Sequence, residues 1–178
     1  MTATKKAIGK LTKAEARVEI AKDVLKHLKA MKVTRGIYCG SNGPPDHALE
    51  KLEGDAQQHV GVIQKSCHVC ALGSMMVSHI RKFDNFGMDE FLFGRLGREQ
   101  IAETLGKWFS QSQLDLIETA FETYPGKDNR EAYEAWETGA KRKAKLFGNR
   151  FKTDRQRLKG IMENIVKNKG TFKPEQEQ

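Results

Sequence analysis

Ser66-Cys67-His68-Val69-Cys70-Ala71-Leu72-Gly73-Ser74-Met75-Met76 is the stretch on which the reading of this chain turns. Two cysteines and a histidine fall within four residues, and the apolar positions that follow, Val69, Leu72, Met76, Ile80 and Phe83, recur at helical spacing. From here to the end the periodicity is helical. Ile101, Leu105, Trp108 and Phe109 mark one helix, and Leu114, Ile117 and Phe121 a second. A long polar helix over residues 129–147 carries Tyr133 and Trp136, and Leu158, Ile161, Met162, Ile165 and Val166 form the apolar face of the last. Three capping boxes punctuate the chain: Thr12 with Glu15, Ser110 with Gln113, and Thr153 with Gln156. The first opens a helix whose apolar stripe reads Ala14, Val18, Ala21, Leu25 and Leu28.

Between that helix and the cysteines the pattern changes. Gly36-Ile37-Tyr38-Cys39 reads as a short strand, Ser41-Asn42-Gly43-Pro44-Pro45 as a break, and His59-Val60-Gly61-Val62-Ile63-Gln64 alternates like a second strand. The expected class is therefore mainly α (α+β), with five to six helices and a small two-stranded β element near residues 36–64. Residues 1–10 read as a disordered basic arm, 11–174 as a single mainly helical domain, and 175–178 as a disordered tail. Apolar runs fall far short of the roughly 20 residues that span a bilayer. The first residues lack the apolar core of a signal peptide, so the expected location is cytoplasmic.

With Ser66 as N-cap, a helix would begin at Cys67, with the unpaired amides of its first turn and the positive end of its dipole beside the thiols. That environment depresses a thiol pKa and can cradle an anion. Ser66, Cys67, His68, Cys70 and Ser74 form the candidate ligand or anion site on this reading, and Cys67 is the candidate nucleophile. No cofactor is expected, and zinc is the one alternative that the residues suggest. Cys67 and Cys70 supply a Cys-x-x-Cys pair, Cys39 a third ligand, and His47, His59 or His68 a fourth; no second knuckle accompanies them. Two further readings stand beside these, and the plain one comes first. Cys70 fills a core as a small apolar residue, or the pair performs redox work, which ordinarily follows a strand in a βαβ context absent here.

Charge is distributed unevenly along the 178 residues, which carry a net +8. Residues 1–35 hold ten Lys/Arg against three acids, and residues 85–140 hold five against eleven. Residues 141–159 hold nine cations against the single Asp154. Within that run Lys141, Arg142, Lys143, Lys145, Arg150, Lys152, Arg155 and Arg157 are the candidate contacts to nucleic acid or to a protein partner. Only Phe147 and Phe151 interleave with them, thin provision for the base stacking of single-strand binders. Surplus apolar positions in the last helix would permit a homodimer.

Residues 67–78, Cys-His-Val-Cys-Ala-Leu-Gly-Ser-Met-Met-Val-Ser, together with Gly36-Ile37-Tyr38 and the C-terminal segment over residues 157–174, resemble a group of small uncharacterised proteins encoded by bacteriophages and prophages. The Cys-Ala-Leu-Gly portion is also similar to a broader bacterial family of unknown function. The resemblance implies a viral origin and transfers no catalytic residue. It implies a non-enzymatic accessory protein that binds and modulates a host factor, such as a component of antiviral defence or a small anionic nucleotide signal. The alternatives from the residues themselves are nucleic-acid binding through 141–159 and a zinc or cysteine-dependent site at Cys67 and Cys70.

Overall fold

A computed structural model describes residues 11–40, 52–83, 97–123 and 139–174. The arm over 1–10, the break over 41–45, His47, Tyr133, Trp136 and the tail over 175–178 lie outside the described residues. Among the described residues there are seven α-helices: α1 Lys13–His27, α2 Ala56–Ser66, α3 Ala71–Lys82, α4 Arg98–Gly106, α5 Gln111–Glu122, α6 Gly139–Asn149 and α7 Asp154–Lys167. A single 3₁₀ turn, Leu28–Ala30, follows α1. The three short strands are β1 Lys32–Val33, β2 Cys39–Gly40 and β3 His68–Val69. The mainly helical class with a small β element holds.

Helix α3 organises the rest. Every residue from Ala71 to Ile80 is buried, the signature of a helix covered on all sides rather than along one stripe. It is covered by α1, α2, α4 and α5, while α7 closes over α1 and α5, and α6 packs along α5. The last of these contacts is close. A methyl on Gly148 in α6 would stand 1.9 Å from the Ala120 carbonyl oxygen of α5, so only glycine allows the two backbones to approach this far.

The caps act as their chemistry dictates. Thr12 and Glu15 close a full box at α1, and Thr153 and Gln156 another at α7. At α5 the box is only half made: the Ser110 hydroxyl accepts from the Gln113 amide, but the Gln113 side chain turns elsewhere. It accepts from Phe172 N at 2.7 Å and donates to Phe172 O at 3.3 Å, while Asn164 pairs in the same way with both backbone groups of Lys173 at 2.8 Å. The two side-chain amides clamp the extended C-terminal segment and seat Phe172 in the core, edge-on to Phe147 at 5.3 Å.

Three local expectations give way to tertiary structure. In α1 the buried face centres on Ala16, Ile20, Ala21 and Val24 rather than on Ala14, Val18 and Leu25, because α3 and α7 cover the helix from two sides. Residues 59–64 are helical: Asp55 caps α2 by accepting from Gln57 N at 2.9 Å, and Ala56, Ile63 and Gln64 face inward. The apparent alternation was a short apolar run that fits both periods. The partner of the 39–40 strand is therefore β3. β1 lies parallel to β3, with Lys32 opposite His68, and β2 runs antiparallel along its other edge, with Cys39 opposite Val69.

Candidate functional site

The cysteine corner is built from a chain reversal, not from a helix start at Cys67. Ser66 is the last residue of α2 and Cys67 its C-cap, its amide donating to Ile63 O at 2.9 Å. His68 and Val69 are extended, and the next helix begins at Ala71 with Cys70 in the N-cap position. The Ser66-capped helix is thus corrected. Sequence periodicity could not reveal the two-residue strand between the helices, because so short a strand exists only through its pairing on both edges.

That reversal buries the sulfurs. Cys67 and Cys70 are each 1% exposed and belong to the apolar core with Leu72, Met75 and Met76. Burial pushes the Cys70 thiol up to about 12, and the neighbouring amides of Gly73 and Leu72 oppose that shift only in part. The neutral thiol persists through physiological pH, the reverse of a helix-activated nucleophile. Nor is the start of α3 open to an anion. The segment preceding β2 crosses it, with Cys70 N donating to Ile37 O at 2.7 Å and the Tyr38 carbonyl lying over Gly73. A methyl on Gly73 would stand 1.3 Å from that carbonyl oxygen, so the glycine of Cys-Ala-Leu-Gly is required by the crossing. Ser74 is buried and donates to Ala71 O at 2.8 Å within its own helix.

Of the zinc candidates, His47 and the side chain of Cys39 lie outside what the structure describes. His59 Nε2 lies 3.0 Å from Glu53 O on the flank of α2, while Cys67 and Cys70 sit in the core. Among the described residues no group of three or more His, Cys, Asp or Glu side chains is arranged to hold a metal ion. Buried His79 accepts from Trp108 Nε1 at 3.0 Å through Nδ1, which defines a structural role beside Phe83 and Trp108.

An ionic girdle around residues 35–38 is what the sequence reading missed. The Tyr38 hydroxyl donates to Glu118, whose other oxygen accepts from Arg98 Nε at 2.9 Å; Arg98 also reaches Asp115. Gly36 N donates to Glu122 at 2.9 Å. Arg35 bonds Thr123 O and pairs with Asp154, both at 2.8 Å, and Asp154 in turn accepts from Arg157. Burial and the Glu118 hydrogen bond raise the Tyr38 pKa, and burial raises that of Glu122. Glu118 and Glu122 lie one turn apart on α5, the one cue available in the sequence. These residues fasten the crossing segment to α5 and α7.

The basic run divides sharply. Arg157 is 1% exposed, and its guanidinium bonds Gly148 O at 3.0 Å, Asp154 at 2.8 Å and Phe151 O at 3.3 Å, so the expectation that it contacts a partner is corrected. Arg155 is exposed but bonded within the molecule, donating to Lys29 O at 3.2 Å and Met31 O at 3.0 Å, which ties α7 to the end of α1. Lys141, Arg142, Lys143, Arg150 and Lys152 are exposed and Lys145 is half-exposed. The inward face of α6 is Ala144, Phe147 and Gly148. Phe147 is buried and offers no face for base stacking, and the half-buried Phe151 ring packs over Gly160. In α7, Leu158, Ile161, Met162 and Ile165 are buried in the chain's own core, and Val166 is half-buried against it. No helix of the described residues is long and apolar enough to cross a membrane. No protein family, curated protein or solved structure matches the chain.

Proposed function

We propose that this protein acts by binding, not by catalysis: a phage accessory protein in the host cytoplasm that engages and modulates an anionic host factor through the outward face of α6. One observation carries the reading. The cations of α6 face solvent as a block on a helix whose other side is anchored in the core, whereas the thiols that would perform chemistry are enclosed. A block of like charge on a rigid element attracts an oppositely charged surface and accelerates encounter. The phage assignment rests on the resemblance of residues 36–38, 67–78 and 157–174 alone. Affinity capture from bacterial lysate with the wild type and with an Arg142→Glu/Lys143→Glu/Lys152→Glu variant tests the reading. The expected result is a partner retained by the first and lost by the second at unchanged melting temperature. Equal retention by both would place the function elsewhere on the molecule.

Nucleic acid is the second reading, favoured by the nine-to-one excess of cations over residues 141–159. It is weakened by the internal commitment of Arg155 and Arg157 and by the enclosure of Phe147. A gel-shift series at rising salt decides it, since phosphate contacts make affinity fall steeply with salt.

A further inference from the structure

The outward face of α6 is not uniformly charged. Leu146, 41% exposed, is one of only two large apolar side chains exposed among the described residues, the other being Val62 on α2. On a helix the neighbours of position 146 are those three and four residues away, here Arg142, Lys143 and Asn149, and Arg150 follows directly after the helix ends. All four are exposed. An apolar side chain thus stands one turn from two exposed cations, Arg142 and Lys143, on the side of α6 away from Ala144 and Gly148, while the Asn149 amide oxygen accepts from Thr123 Oγ1 at 2.9 Å. Val62 has a single Lys, Lys65, at that spacing.

Resting on the binding function proposed above, we propose that this face docks an acidic protein segment which carries an apolar side chain to cover Leu146. Charge complementarity selects the partner's sign, and the leucine selects its class. An apolar anchor enclosed by polar contacts that exclude water is the usual composition of a protein–protein interface centre. A phosphate backbone offers the cations as much, but it gives Leu146 nothing to bury against. The arginines suit carboxylates in particular, because the guanidinium fork meets both oxygens of one group. Arg150 already lies with its guanidinium 5.5 Å from the Phe147 ring centroid, which restrains the side chain before a partner arrives.

Fluorescence anisotropy with three probes tests this: a peptide of glutamates around a central leucine pair, its all-glutamate counterpart, and a duplex DNA oligonucleotide. The leucine peptide is expected to bind about tenfold tighter than the all-glutamate peptide, the gain from covering one half-exposed leucine with another. Leu146→Ala should abolish that difference and leave the all-glutamate affinity unchanged. Arg142→Glu/Lys143→Glu should weaken both peptides. Leu146 is exposed, so the variant folds, which an unchanged melting temperature verifies. If binding depends on charge but not on Leu146, or if duplex DNA binds most tightly, this inference is overturned while the binding function stands. If no probe binds in a charge-dependent way, both fall.

Discussion

Gly73→Ala separates the two forces that act on a helical glycine. Helix propensity alone favours alanine by about 1 kcal/mol in a helix interior. Tertiary structure opposes it: the new methyl would lie 1.3 Å from the Tyr38 carbonyl oxygen and 2.5 Å from its carbon, both of them backbone atoms with no rotamer to escape into. Reaching an ordinary contact near 3.4 Å requires the crossing segment to lift by about 2 Å. That movement breaks the Cys70 N–Ile37 O bond and the Tyr38–Glu118 hydrogen bond and strains the β2–β3 pairing. Two lost hydrogen bonds cost about 2 kcal/mol and overpacking about 2 more. Less the propensity gain, the net destabilisation is about 3 kcal/mol, or a fall in Tm of about 6–12 °C for a chain of this length. Gly61→Ala is the matched control. It sits inside α2, exposed, with nothing within 4 Å of an added methyl, so propensity acts alone and Tm should rise by a few degrees. Thermal melts by circular dichroism, supported by urea titration, compare the two. A Gly73→Ala protein as stable as the wild type would refute the crossing of Tyr38 over α3 and with it the account of the enclosed thiol.

Three further outcomes follow from the same contacts. Cys67 and Cys70 should resist a thiol reagent at pH 8 in the folded protein and react promptly in denaturant; fast native labelling of Cys70 would contradict its neutral, enclosed state. Glu122 has a raised pKa in the fold, so its contribution is fully present below the ordinary glutamate value and is lost as pH rises through the raised one. Glu122→Gln should therefore gain stability over the wild type at neutral pH and lose that advantage in acid, as read from urea midpoints across pH. Arg157→Met should destabilise by about 2–3 kcal/mol, since it removes a buried donor from the Gly148 and Phe151 carbonyls and from Asp154, which keeps its pairing with Arg35. Arg142→Met on the open face should change stability by less than about 0.5 kcal/mol, and similar midpoints for the two would refute the division of the basic run.

Much of the architecture was legible along the chain because its determinants are local. Thr12 and Thr153 announce their helices through side chains that reach their own first turn, and Leu114, Ile117 and Phe121 point one way by periodicity alone. Asp55 carried the same kind of cap signal, but the apolar run 60–63 obscured it. The candidate site was less legible. Two cysteines three residues apart describe a metal knuckle, a redox pair and a tight reversal equally well.

What the sequence by itself determined is the helical class, the position of most helix starts and the concentration of cations between 141 and 159. Each depends on residues within one or two turns of each other. Only the tertiary structure decided that Cys67 and Cys70 face the core, that Gly73 must lack a side chain, and that Arg157 is enclosed while Arg142 and Leu146 stay outside. Those outcomes depend on which distant segment arrives to cover a residue: Tyr38 crosses α3 from more than thirty positions upstream, and Gly148 and Phe151 meet Arg157 across a helix junction. Burial is a property of the approach of two segments, and neither segment encodes it alone.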